Sequence, residues 1–146
     1  MFFSKSFGYA LRGILYIALM QDEKRKVQID EIAVKLSIPR HFLGKIMMEL
    51  VKTGLLHSTK GPYGGFNLSE KTLATPLIKL AEITGDINQF NICVLQMRNC
   101  DGVNPCPLHK DVDAIKDNLQ SLFTQTTIAD LLTEDKKDFI KSIATI

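Results

Sequence analysis

Long apolar runs are missing from this chain. The longest, GILYIALM (Gly13–Met20), falls far short of the ~20 residues a membrane span needs, so no membrane partner is expected. Lys5 and Arg12 precede it, but QDEKRK follows with no small-residue cleavage site, which argues against a signal peptide. Catalytic signatures are missing too. Gly64-Gly65 is not followed by the Lys-Ser/Thr of a phosphate loop, and neither a nucleophile elbow nor a paired-carboxylate motif occurs, so the expectation is not an enzyme. Internal repeats and low-complexity tracts are absent. Cysteine is scarce: three in 146 residues, all within CVLQMRNCDGVNPCPLH (Cys93–His109). In the cytoplasm, the location expected here, thiols stay reduced, and disulfides are then not the expected use.

What is present is globular composition, 45% hydrophobic and 23% charged, enough for a core. The net charge of +2 is unevenly spread. Between Lys35 and Lys60 five bases (Lys35, Arg40, Lys45, Lys52, Lys60) face one acid, Glu49, a local +4. From Asp111 to Ile146 seven acids face four bases, a local −3. One end suits a polyanion and the other does not.

Periodicity predicts a mainly α protein. Phe7, Ala10, Leu11, Ile14, Leu15 and Ile17–Ala18 mark a helix over about residues 5–21. IDEIAVKL (residues 29–36) places Ile29, Ile32, Ala33 and Leu36 on one face, with Asp30 and Glu31 in the first turn where the helix dipole favours them. Pro39 suits the first position of the next helix, Phe42, Leu43, Ile46, Met47 and Leu50 form its expected buried stripe, and Gly54 stops it. Two short helices joined by a tight turn make a helix-turn-helix. LLHST (Leu55–Thr59) and GFNLS (Gly65–Ser69) then flank the turn KGPYGG, predicting a β-hairpin wing. Thr75-Pro76 opens a helix from Leu77 to Thr84, ended by Gly85, and the cysteine segment reads as irregular. Leu108, Val112, Ile115, Leu119 and Leu122 follow at spacings of 4, 3, 4 and 3, then Phe123. That seam predicts a long dimerisation helix and a homodimer. TTIADLL and TEDKKDFIKSI read as two further short helices, each with a Thr N-cap.

Opposite the apolar stripe of Pro39–Thr53 stand Arg40, His41, Gly44, Lys45, Met48 and Lys52. The first turns of a recognition helix enter the major groove, where Arg40, His41 and Lys45 offer donors to guanine edges or phosphates. Lys60, with backbone amides of the Gly-rich wing tip, suits the sugar-phosphate backbone, and Ser4 and Lys5 add expected contacts. The order helix, turn, helix, hairpin makes double-stranded DNA the expected partner.

At ALRGILYIAL, the helix-turn-helix and LVKTGLLHSTKGPYGGFNLS, the chain resembles the Rrf2 family of bacterial winged-helix regulators. The family's recurring phrase GL(V/L)xSxxGxxGGYxL stands here as Gly54-Leu55-Leu56-His57-Ser58-Thr59-Lys60-Gly61-Pro62-Tyr63-Gly64-Gly65-Phe66-Asn67-Leu68. The resemblance implies a homodimeric regulator on a palindromic operator, with Pro39, Arg40, His41, Lys45, Lys52, Lys60, Tyr63 and Gly64 at the DNA. Where members resembling the iron–sulfur cluster regulator carry a base-reading Glu, this chain has Gly44.

By pattern alone the C-x6-C-x5-C-x2-H run leaves an iron–sulfur cluster, zinc and no metal open. Zinc prefers shorter knuckles, clusters accept wider spacings and histidine, and buried thiols need no metal. A metal-free or thiol-redox regulator, or a zinc-stapled protein-interaction module, are the alternatives. The family resemblance implies a cluster held by Cys93, Cys100, Cys106 and His109, 2Fe–2S rather than 4Fe–4S. The nitric-oxide-sensing branch uses an Asp of the first helix where Gly8 stands here. The implied organisation is a winged helix-turn-helix domain (1–85), a cysteine-rich cluster loop (86–109), and a dimerisation helix with short C-terminal helices (110–146).

Overall fold

The structure is a computed structural model, described for residues 3–21, 26–95 and 103–143. Ser4 starts the first helix, α1 (Lys5–Met20), its hydroxyl accepting from the Phe7 amide at 3.2 Å. One side of α1 is buried through Phe7, Ala10, Gly13, Ile14 and Ile17. Gly13 lets the helices close up: a Cβ there would stand 2.5 Å from the Met47 methyl. The next helix, α2 (Ile29–Leu36), ends at Ser37 in the left-handed region (φ 54°), and the Ile38 amide returns to the Ala33 carbonyl at 3.0 Å. Arg12 of α1 caps the same end, its Nη2 donating to the Leu36 carbonyl at 2.6 Å.

Three residues later begins α3 (Arg40–Lys52), with Pro39 at the N-cap, one place earlier than its expected first helical position. Leu43, Met47 and Leu50 are buried as predicted, but Phe42 is 51% exposed and Ile46 half-buried. At 100° per residue Phe42 sits about a quarter-turn off the axis of the buried three, on the helix flank rather than its inner face. Gly54, at φ 80°, terminates α3, and the Leu55 and Leu56 amides both return to the Leu50 carbonyl. That turn consumes two residues expected in the wing. The hairpin is therefore short: β1 (His57–Thr59) pairs antiparallel with β2 (Gly65–Asn67), Ser58 opposite Phe66. The other edge of β2 is bridged by Val27 through reciprocal Val27–Phe66 bonds of 2.9 and 2.8 Å.

A five-residue helix, α4 (Glu70–Ala74), follows, unforeseen because its capping box uses Thr72 where a Glu or Gln is the familiar signal. Thr72 also donates to the Leu55 carbonyl at 2.5 Å, fastening the base of the wing. Next come α5 (Leu77–Ile83) and, inside the segment expected to be irregular, a 3-10 turn over Asp86–Phe90. The long helix α6 (His109–Gln125) returns toward the body, where Phe123 stacks with Phe3 (centroids 4.9 Å) and Phe7 (5.6 Å) and meets Phe90 edge-on. Phe123 thus belongs to the core, not to an outward seam. Past α6, Leu77 and Ile128 exchange backbone bonds with Thr126 and Thr75.

The two expected C-terminal helices are a pair of 3-10 turns (Ala129–Leu132 and Glu134–Lys136) and α7 (Lys137–Ser142), whose Ile140 joins the core beside α1. Thr127 and Asp130 bond reciprocally at the first turn, and those bonds hold the Asp130 carboxyl below its ordinary range. One buried cluster runs from Phe7 through Leu43, Leu80 and Phe90 to Phe123 and Ile140.

Candidate nucleic-acid interface and cysteine segment

The α2–α3 turn presents Pro39, Arg40, His41, Lys45, Met48 and Lys52 to solvent. Leu43, Met47 and Leu50 hold α3 by its opposite side, so the helix offers its outward face as a rigid unit. Gly44, half-buried, lies with Ile29 Cδ1 3.6 Å from where its Cβ would stand, so the backbone there is close to α2. Two pairings were not legible in the sequence. Arg40 Nε is ion-paired to Asp30 of α2, ten residues back in another element. The His41 ring lies 4.2 Å from that of Phe42. Lys52 pairs with Glu49 at 3.5 Å, an exposed contact of little energetic weight.

The wing tip stands out from the body. Tyr63 is 93% exposed, and Lys60, Gly61 and Pro62 are exposed with it. Gly64 is required by close approach: a Cβ would fall 2.0 Å from the Thr59 carbonyl oxygen. Gln28, just before α2, donates from Nε2 to the Pro62 carbonyl at 3.0 Å, tying the tip to the helix-turn-helix. At the chain start Lys5 is exposed, whereas the Ser4 hydroxyl is engaged: it donates to Asp86 at 2.7 Å while capping α1. Asp86, buried, also accepts from the Ser4 amide (2.9 Å) and Thr84 (2.7 Å), locking the start of α1 to the end of α5. Between α1 and α3 lies a groove of about 380 Å³ walled by Lys5, Tyr9, Phe42, Lys45 and Ile46.

Of the cysteine segment, Cys100 lies outside the described residues. Cys93 is buried and Cys106 half-buried. His109 opens α6, half-buried, its amide donating to the Cys106 carbonyl at 2.9 Å, so these two share one turn. Ile92, beside Cys93, instead accepts from Lys116, seven residues or ~10 Å along α6 from His109. Among the described residues no three His, Cys, Asp or Glu side chains gather as a metal site. The donor set fits by its chemistry, since thiolates and imidazole are the ligands iron–sulfur centres take. Cys106 and His109 already stand together at the start of α6.

On α6 the expected seam divides. Leu108, Ile115 and Leu122, spaced by seven, are exposed, Ile115 by 65%, while Val112 and Leu119 are half-buried. Leu108 is the N-cap of the helix and the other two recur at heptad spacing on it.

Residues 3–134 match the profile of the Rrf2 family, described as an iron-dependent transcriptional regulator. An HTH-type transcriptional regulator of Aquifex aeolicus is 38% identical over 139 residues, covering 94% of this chain and 95% of its own. The HTH-type regulator NsrR of Geobacillus kaustophilus is 40% identical over 63 residues, 43% of this chain and 42% of its own. In structure the chain is similar to CymR, the global cysteine regulator of B. subtilis (TM-score 0.69, 19% identity, 88% and 94% covered). It is also similar to T. potens IscR (TM-score 0.63, 18% identity, 93% and 89% covered). At those identities the two structures speak for the fold alone.

Proposed function

The chain belongs to the Rrf2 family of DNA-binding transcriptional regulators, not enzymes, and from that premise we propose how it works. It acts in the cytoplasm as a homodimer, each α3 in a major groove of a palindromic operator, its grip biased by an iron–sulfur cluster at Cys93, Cys100, Cys106 and His109. The observation that carries the DNA half is the outward basic face of α3 (Arg40, His41, Lys45, Lys52) beside a wing tip carrying exposed Lys60 and Tyr63. Lys5 stands at the same groove as Lys45 and extends the basic surface. Ser4 contributes by fixing where α1 begins, since its hydroxyl is committed to Asp86.

Arg40 is oriented by Asp30 through Nε, which leaves its Nη donors for a base edge or phosphate. Lys60 has no such partner among the described ion pairs, and Gly64 closes the turn that carries it. Duplex binding measured across a salt series tests this. Lys60→Ala is expected to weaken all duplexes alike and to reduce the log–log salt slope by about 1, whereas Arg40→Ala costs ~1–3 kcal/mol and also relaxes sequence preference. If neither variant alters binding, α3 and the wing are not the interface.

For the sensing half, Cys106 and His109 at the start of α6 would hold the centre together with Cys93 and Cys100 of the preceding segment. When bound, it would supply reactivity toward oxidants and nitric oxide, a 2Fe–2S form being favoured by the imidazole ligand. Differential contacts of this kind typically couple two sites by ~1–3 kcal/mol. Anaerobic reconstitution with iron and sulfide is expected to give visible absorbance that is lost in Cys100→Ala, Cys106→Ala. A colourless wild-type product would leave a metal-free regulator with the same DNA-binding body.

A further inference from the structure

Two charged side chains are buried among the described residues, Asp86 and Lys116. Asp86 is accounted for by its three donors, two from Ser4 at the start of α1 and one from Thr84 at the end of α5. Lys116, 5% exposed, sends its Nζ to the backbone carbonyl of Ile92, and no carboxylate among the described residues pairs with it. A buried ammonium with no counter-ion is costly, so its placement calls for a role.

The rest of α6 supplies the context. Within this helix only Lys116 and Phe123 are buried. Phe123 anchors the C-terminal part in the aromatic cluster, and the backbone bonds at Thr126 secure that end. The N-terminal half, from His109 to Ile115, contains no buried residue. Lys116 is therefore the inner attachment nearest that half, and what it attaches to is the residue preceding Cys93. Its neighbour Ile115 points the other way, into the exposed apolar row. One turn of α6 thus carries both the attachment to the cysteine segment and the surface offered to a second protomer.

We propose that Lys116 is the positioning residue through which the cysteine segment acts on α6. It pins Ile92, and so Cys93, to the middle of the helix. Gathering Cys93 with Cys106 and His109 about one centre would bear on this attachment, so that Lys116 releases Ile92 or the N-terminal half of α6 moves with it. Either way the change is delivered at Ile115. The second step rests on the cluster reading given above; the pinning itself does not.

The test begins on metal-free protein, reading alkylation of each cysteine by N-ethylmaleimide with peptide mass spectrometry. Cys93 is expected to react slowly in the wild type, at least tenfold faster in Lys116→Met, and within about threefold of wild type in Lys116→Arg, which restores a cationic donor. Phe123→Leu, chosen to lower stability at the opposite end of α6, serves as control and should leave Cys93 slow. A folded Lys116→Met chain with Cys93 still protected overturns the proposal, as does equal acceleration in the control.

Should Lys116→Met not fold, wild-type hydrogen exchange decides. Amides of 91–95 and 109–116 share one opening if Lys116 joins them, and markedly unequal protection would sink the idea. After reconstitution with iron and sulfide, Lys116→Arg is expected to keep the difference in operator affinity between metal-free and loaded protein, and Lys116→Met to lose it while still forming the visible absorbance. Absence of absorbance in the wild type would fault the cluster reading and leave the alkylation result standing.

Discussion

Replacing Ile115 and Leu122 together by aspartate is expected to leave a folded monomer that no longer holds an operator at concentrations saturating for the wild type. Both side chains are exposed on α6 and stand on one row with Leu108, so the isolated protomer loses little by the change. In a two-fold interface each substitution counts twice. Burying an aliphatic side chain of this size contributes ~1.5–3 kcal/mol, so four such losses remove roughly 6 kcal/mol or more. At 1.4 kcal/mol per decade that is about four decades in the dimer dissociation constant, before the cost of burying carboxylates is added. Sedimentation should show the monomer, circular dichroism an unchanged helix content, and fluorescence anisotropy the loss of tight duplex binding. A variant that remains dimeric would remove α6 from the interface.

Gly65→Val is expected to have the largest effect on stability. At φ 136° the residue occupies backbone space open to glycine, and a Cβ would lie 2.7 Å from the Val27 carbonyl carbon and oxygen. The strain costs on the order of 1–3 kcal/mol. Forcing the bridge apart also forfeits two backbone bonds between Val27 and Phe66, about 1 kcal/mol each. A total of roughly 3–5 kcal/mol is a large share of a domain's usual ~5–15 kcal/mol, and in a chain of this length lowers Tm by ~10–15 °C. Gly61 provides the contrast. Its φ is also positive, 103°, but nothing lies within 4 Å of where its Cβ would be, so Gly61→Val should cost only the backbone strain. Thermal melts that place the two variants together would mean that the approach to Val27 is not what requires glycine.

Local signals were the readable ones. The bounds of α1, α2 and α3 follow the sequence periodicity to within a residue, because Ser4 and Gly54 act on the backbone within their own turns. The α4 helix escaped because Thr72 closes its cap with a hydroxyl in place of a longer acceptor. The outward face of α3 was legible from helix geometry once its apolar stripe was set. What failed depended on partners distant in the chain. Phe42 and Phe123 are equally apolar, yet one is left on a flank and the other is taken into a cluster assembled from Phe3, Phe7 and Phe90. Lys116 looks like a solvated position in a helix full of charges, and only the returning segment at Ile92 turns it inward. The Asp30–Arg40 pair likewise joins neighbours in space that no short-range spacing announces.

Phe123 secures the C-terminal end of α6 in the aromatic cluster, so a tilt of the helix in the proposed dimer would pivot near that end. From Phe123 to His109 is fourteen residues, ~21 Å of helix at 1.5 Å each. A swing of about 5° about that pivot would carry the far tip through ~2 Å, and the two-fold symmetry of the proposed dimer would double the discrepancy. Half-sites on DNA recur at a fixed ~34 Å, so in the proposed dimer angular play too small to alter the fold would be large enough to throw the two reading heads out of step.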